Sequence, residues 1–309
     1  MSFLTAKDLE EPVLRKILVP LQGFPAEVHA INVAFSLAEP NKTKLLFLHC
    51  RERGTRPKKQ VIGQLLKHVK SLSKELGVPH AYHSEARIRA SDSILNAERE
   101  GDVDIIILGA ARNPKHKHLL GSTARRVTRK STAPNLVVSS WLDDLTMIPK
   151  PSWKKFLLPL RKVKRDIAAL NLAAAFKKSS FAKGAELIAL NLTAFQLITD
   201  EQAAETPEAK LAEELFTDDL VIFTKDTGLQ VTPKYMATRN VGEGALEIAE
   251  KEKVDLIILG ATRKPGRFGD ILGRVSIQIA LEAKSSVVIP FVQKAPQVDE
   301  NSTTENTSK

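Results

Sequence analysis

Cysteine is almost missing from this chain of 309 residues: Cys50 stands alone. One cysteine excludes an internal disulfide and a metal centre built on several thiolates. Aromatic residues make up 5% of the chain, too few for a surface of base-stacking platforms. No reader motif for nucleic acid occurs, which counts against sequence-specific recognition of RNA or DNA. No apolar run approaches the ~20 residues that a bilayer-spanning helix needs. The N-terminal "MSFLTAKDLEEPVLRK" has no basic segment leading into an apolar one, so no signal peptide is expected. No nucleophile with a base and an orienting acid stands out, so no catalytic residue is assigned and a dedicated enzyme is not expected. His116 and His118 flank Lys117 with no carboxylate or cysteine close by in sequence, and no metal site is assigned. These absences leave a cytoplasmic globular protein as the expectation.

What is present is positive charge and repetition. Lysine and arginine number 46 against 36 acidic residues, a formal charge of +10, which favours an anionic partner such as a nucleotide, a nucleic acid, or an acidic membrane or protein surface. Hydrophobic residues at 43% supply a core, and the length suits two domains. The chain then repeats itself in order. "KILVPL" at 16–21 returns as "KFLLPL" at 155–160, and "VDIIILGAARNP" at 103–114 returns as "VDLIILGATRKP" at 254–265. "LLG" at 119–121 returns as "ILG" at 271–273, and "NLVVS" at 135–139 as "SVVIP" at 286–290. Two whole domains are therefore expected, over residues 14–140 and 153–292. A proline-bearing linker at 141–152 joins them, and a polar tail at 293–309, with no apolar face to bury, is expected to be disordered.

Each unit alternates short apolar runs with amphipathic ones, the pattern of a parallel sheet covered on both faces. In the first unit, strands are expected at Lys16–Leu21, Leu45–Cys50, 80–87, Ile105–Leu108 and Leu136–Val138. Helices are expected at Ala26–Ala38, Val61–Leu76 and Ser91–Arg99, and again after Gly121. In the second unit, strands fall at Phe156–Leu160, Leu187–Leu192, Val231–Ala237, Leu256–Leu259 and Val287–Ile289. Its helices fall at Arg165–Lys177, from Glu208 to Phe216 or beyond, at Glu243–Glu250 and at Val275–Ala283.

The stretch "DIIILGAARNPKHKHLLGSTARR" at 104–126 carries the functional reading. A strand that ends in glycine and leads through a second glycine to a helix N-terminus is how α/β folds hold phosphate. Here the loop between is rich in Arg, Lys and His where phosphate loops are rich in glycine. Its cations, Arg112, Lys115 and Lys117, and Arg263, Lys264 and Arg267 in the second unit, could clamp phosphate oxygens with charged donors; the alternative is a solvated basic rim that binds nothing specific. Asp104 and Asp255 precede the equivalent strands of the two units and are assigned no chemistry. His49 is read as a structural, hydrogen-bonded residue.

Taken in order and twice over, "ILVPL", "FLHC", "DIIILGA" and the Gly-Ser after the loop resemble the universal stress protein family. The resemblance covers both units. It implies five-stranded, open, doubly wound α/β domains in tandem, with the architecture of adenine-nucleotide α-hydrolases. It also implies an adenine nucleotide, ATP or AMP in type, as the ligand of those members that bind one; Mg2+ would enter only with ATP, and slow hydrolysis stays open. In binders the first strand ends in Asp-Gly-Ser and the loop reads Gly-x2-Gly-x9-Gly-Ser/Thr. The first unit has Gln22-Gly23-Phe24 and Gly109-x2-Arg112-x8-Gly121-Ser122; the second has Arg161-Lys162 and Gly260-x2-Arg263-x9-Gly273-Arg274.

The resemblance therefore assigns a nucleotide mainly to the first unit, at Gln22, Gly109, Arg112, Gly121, Ser122 and Thr123. Adenine is expected against Pro20, Leu21 and Cys50, because open α/β sheets place ligands at the carboxyl ends of their strands. A weaker second site falls at Arg161, Gly260, Arg263, Gly273 and Arg274. Loss of the aspartate from both units keeps a second reading open: a nucleotide-independent regulatory module related to the universal-stress domains of membrane transporters, with a transporter or other protein as partner. A non-specific nucleic-acid binder is the third. Family domains pair through their fifth strands, so an intramolecular pseudo-dimer of the two units is expected, with a homodimer of chains as the alternative.

Overall fold

The computed structural model describes residues 14–51, 59–86, 89–111, 121–140, 152–163, 165–194, 207–260 and 273–291. The expected linker, apart from its last residue, and the expected tail lie outside these residues, as do Arg112, Lys115, His116, Lys117, His118, Arg263, Lys264 and Arg267.

Unit one runs β1 (Lys16–Leu21), α1 (Glu27–Leu37), β2 (Lys44–Arg51), α2 (Lys59–Leu76), β3 (His80–Ala86), α3 (Ala90–Gly101), β4 (Ile105–Ala111), α4 (Ser122–Lys130) and β5 (Asn135–Ser140). Unit two repeats the order as β6 (Lys155–Leu160), α5 (Ile167–Lys178), β7 (Glu186–Ala194), α6 (Pro207–Thr227), β8 (Thr232–Thr238), α7 (Val241–Lys251), β9 (Leu256–Ile258), α8 (Arg274–Glu282) and β10 (Ser286–Phe291). The central strands are apolar throughout because helices cover both faces. β1, for example, is buried at every residue after Lys16. Helix α2 presents Ile62, Leu65, Val69 and Leu72 to the core at helical spacing and stops at Gly77, whose φ of 65° few other residues adopt. Helix α6 continues past Phe216 to Thr227, because Phe216, Leu220 and Phe223 prolong the buried stripe. Strand β4 runs three residues beyond Leu108, since Gly109, Ala110 and Ala111 keep pairing with Val138, Ser139 and Ser140.

The strand order is β3-β2-β1-β4-β5 in unit one and β8-β7-β6-β9-β10 in unit two, joined into one ten-stranded sheet through β5 and β10. Within each unit the pairs are parallel. The β5–β10 pair is antiparallel: Val138 lies opposite Val288 and Val137 opposite Ile289. In the repeat, Val137 corresponds to Val288 and Val138 to Ile289, so each residue faces the counterpart of its own neighbour. That reciprocity is the mark of a two-fold relation, here between the halves of one chain. Helices α1, α2, α5 and α6 cover one face of the sheet, and α3, α4, α7 and α8 cover the other. Side chains cross the junction as well: Ser139 Oγ donates to Ala280 O at 2.8 Å, and the Trp153 indole donates to Ser36 Oγ at 3.0 Å.

Two aspartates fasten the strand starts in the same way in both units. Asp104 Oδ2 accepts from the backbone N–H groups of Arg15 and Lys16, each at 2.7 Å. Asp255 Oδ2 accepts from those of Lys154 and Lys155, at 2.8 and 2.9 Å. On the α1 face, His68 of α2 is buried and its Nε2 donates to Asn32 Oδ1 of α1 at 2.7 Å. Burial lowers its pKa from 6.5 to about 4, with the nearby Glu75 carboxylate working the other way. An unfolded chain takes up this proton near pH 6.5 and the folded one only near 4. Stability therefore falls as pH drops through that window and levels off below it, by at most about 3 kcal/mol for this group. In His68→Gln, urea midpoints measured between pH 7 and pH 4 should lose that component of the acid sensitivity.

Candidate functional site

In an open α/β sheet the crevice lies beyond the carboxyl ends of the strands, where the strand order reverses. In unit one that point is between β1 and β4, and in unit two between β6 and β9. Because β5 and β10 run antiparallel, the two crevices open at opposite ends of the ten-stranded sheet. No single small ligand can bridge them.

At the end of β1 the chain turns through Gln22, Gly23 and Phe24 before α1. Gly23 has φ 87°, a conformation that glycine adopts without strain. The three amides of this turn converge on one carboxylate. Glu27 Oε1 accepts from Gln22 N at 2.8 Å, and Oε2 accepts from Gly23 N at 3.0 Å and Phe24 N at 3.2 Å. Glu27 is only 4% exposed. Its side chain lies over the end of β4, where a Cβ on Gly109 would come within 3.1 Å of Glu27 Cγ. Unit two has the same arrangement in reduced form. Asp166, 6% exposed, accepts from Arg161 N at 2.8 Å, and a Cβ on Gly260 would fall 2.3 Å from Asp166 Oδ1. The glycines that end "DIIILG" and "DLIILG" thus make room for an acidic residue of the same unit, Gly109 for the Glu27 stem and Gly260 for the Asp166 carboxylate. The signal in the sequence is an acid five residues after the position expected to carry the family's aspartate, Gln22 to Glu27 and Arg161 to Asp166.

The residues expected to line adenine divide between the two faces of the sheet. Pro20 pairs in register with Leu48, and both share a face with Cys50, Leu108 and Ala110 against α3 and α4. Leu21 is fully buried on the other face with Ile17 and Val19, and Gly109 faces α1 there. Cys50 is buried, with its thiol 3.9 Å from Ala90 O. His49 Nδ1 lies 3.1 Å from the Tyr82 hydroxyl, with the rings stacked. Its counterpart Asn191 donates to Leu160 O at 3.2 Å and to Arg161 O at 3.3 Å, so both residues fasten the strand ends.

On the α3–α4 side, α4 follows Gly121, an N-cap residue with no side chain to cap the first amides, and has no acid in its first turn. Gly121 and Ser122 are exposed, Thr123 is half-buried, and among the described residues nothing lies within 4 Å of a Cβ placed on Gly121. The N-terminal amides of a helix beside a serine hydroxyl suit an oxyanion. Helix α4 carries Arg125, Arg126, Arg129 and Lys130, of which Arg126 pairs with Asp92 at 3.0 Å. In unit two α8 begins in the same way at Gly273, but the exposed Arg274 stands where Ser122 supplies a hydroxyl. The structure thus brings Gly121, Ser122 and Thr123 together at one helix start and Gln22 and Gly109 around Glu27; Arg112 and Arg263 lie outside the described residues.

A family model described as the universal stress protein family matches residues 14–139 and again 153–289. Among solved structures, the chain is similar to a universal stress protein from Archaeoglobus fulgidus DSM 4304, with 15% identity and a TM-score of 0.56 over 89% of this chain and 95% of that one. A putative universal stress protein from Pseudomonas aeruginosa UCBPP-PA14 gives 15% identity and a TM-score of 0.57, over 89% and 92% of the two chains. A functionally unknown protein from Pseudomonas aeruginosa PAO1 gives 16% identity and a TM-score of 0.57 over the same shares. No curated protein matches the sequence.

Proposed function

Since the chain belongs to the universal stress protein family through both of its halves, we propose that it is a cytoplasmic tandem member whose first unit binds an adenine nucleotide in a stress or signalling role. The observation that carries this reading is the start of α4: a glycine N-cap that brings no side-chain acceptor of its own, the exposed Ser122 and no acid in the first turn. Phosphate would lie there, with Arg112, nine residues before Gly121 in sequence, as a further cation. The base would approach the ends of β1 and β2 on the α3–α4 side, near Pro20 and Cys50. Mg2+ would enter with ATP alone. Unit two, with Arg274 in place of the hydroxyl residue, is the weaker binder. The two units act as a self-contained pair within one chain of 34.0 kDa.

A second reading draws on Glu27. Its carboxylate fills the strand tip, which favours a nucleotide-independent regulatory module that docks on another protein, such as a transporter. Titration calorimetry with ATP and AMP separates the two. Ser122→Ala is expected to weaken binding about 5-fold, and Ser122→Asp by 10-fold or more, because a donor is lost and then a repelling charge is added (~1–2 kcal/mol). Equal binding by Ser122→Asp and the parent would move the phosphate elsewhere. No heat at millimolar nucleotide would favour the second reading.

A further inference from the structure

Three consecutive amides that converge on one point form an anion nest. In unit one that nest, the N–H groups of Gln22, Gly23 and Phe24, is held by both oxygens of Glu27. We propose that Glu27 is a built-in counter-anion that sets the specificity of the strand tip: it takes the place that a ligand phosphate would occupy between β1 and β4, and bars phosphate from it. Three observations converge. The carboxylate is almost wholly buried and lies at the point where the strand order reverses. Gly109 lets the Glu27 stem lie close over the end of β4, where a Cβ would come within 3.1 Å of Glu27 Cγ. An acid recurs at the equivalent place in unit two, where Asp166 holds Arg161 N and presses on Gly260.

The consequence concerns the class of ligand. A carboxylate beside the β1 tip repels a polyphosphate there and tolerates a neutral hydroxyl, such as that of a ribose. Phosphate is left with the other side of the crevice, at the start of α4. Phosphates beyond the one held at the start of α4 then gain little affinity, and the parent protein discriminates weakly between AMP and ATP. This consequence rests on the nucleotide reading above. The occupied nest does not, and inorganic phosphate tests it separately.

The full chain and Glu27→Ala are melted in phosphate and in chloride at matched ionic strength, and the amide resonances of residues 22–24 are followed during a phosphate titration. Glu27→Ala is expected to gain several degrees in phosphate that the parent does not gain, with saturable shifts at Gln22, Gly23 and Phe24. Equal shifts in the parent, or a folded Glu27→Ala with no response, overturn the proposal. Should Glu27→Ala fail to fold in chloride, recovery of its fold in phosphate supports the proposal, and failure to recover overturns it. In a second arm, Glu27→Gln is expected to raise ATP affinity about 10-fold and leave adenosine binding unchanged, since one repelling charge is removed. If neither parent nor variant binds any nucleotide, the nucleotide reading fails, while the phosphate arm still decides what the nest holds.

Discussion

Val138→Asp is expected to abolish the native assembly of the two units and drive the protein into the insoluble fraction. Val138 and Val288 are fully buried and lie opposite each other where the halves of the ten-stranded sheet meet. An aspartate there would place an unpaired charge among Leu136, Val288 and the core of the α1–α5 face, with no partner to offset its desolvation. The cost of a buried, uncompensated charge is several kcal/mol, a large part of the ~5–15 kcal/mol that holds a domain together. If the units came apart to avoid it, β5 and β10 would each expose an apolar edge, which is an aggregation hazard. Val138→Ala serves as the control. It leaves a cavity without a charge, should cost about 1–3 kcal/mol, and should stay soluble. The soluble fraction after expression and the urea midpoint give the comparison. A soluble Val138→Asp with the parent's midpoint would contradict the paired edge.

Gly260→Ala should be nearly as damaging, for a different reason. A methyl group at position 260 would sit 2.3 Å from Asp166 Oδ1, 2.7 Å from its Cγ and 3.0 Å from its Cβ. Asp166 cannot swing away freely, because its other oxygen holds Arg161 N. The expected loss is about 2–4 kcal/mol, from overpacking together with a broken hydrogen bond to a charged group. Combining the change with Asp166→Ala should return part of that loss, since the smaller side chain makes room for the methyl. A double-mutant cycle on urea midpoints measures the coupling, expected at about 1–3 kcal/mol. Additive losses would mean that glycine and carboxylate do not share one space. The same change at Gly109 should be milder, because its nearest contact, Glu27 Cγ, is at 3.1 Å.

The repeat made the architecture readable in advance. "VDIIILGAARNP" and "VDLIILGATRKP" are apolar for the length of a strand, and strands buried on both faces carry just such runs. Their meaning at the site was harder to read. Glycine after the fourth strand suggests phosphate by its conformational freedom, yet Gly109 and Gly260 make room for side chains that enter from the first residue of α1 and the residue before α5, far away in sequence. Periodicity reports which face a residue occupies, but not which distant side chain lies across from it. Leu21 is the converse case, a face that alternation alone assigns. It stands beside Pro20 at the tip of β1, and strand alternation sends it to the opposite face of the sheet. Comparing the two units position by position does expose Glu27 and Asp166, because an acid at the same offset in both copies has no reason to recur on a solvated turn.

One measurement tests the account most directly: an ATP titration of the isotope-labelled full chain, followed through its backbone amides. Saturable shifts at Gly121, Ser122 and Thr123, with Gln22, Gly23 and Phe24 shifting far less and the unit-two amides of Arg161 and Arg274 responding only at higher ATP, are the predicted result. Shifts led by Gln22, Gly23 and Phe24, or no response at Ser122 at millimolar ATP, would contradict it.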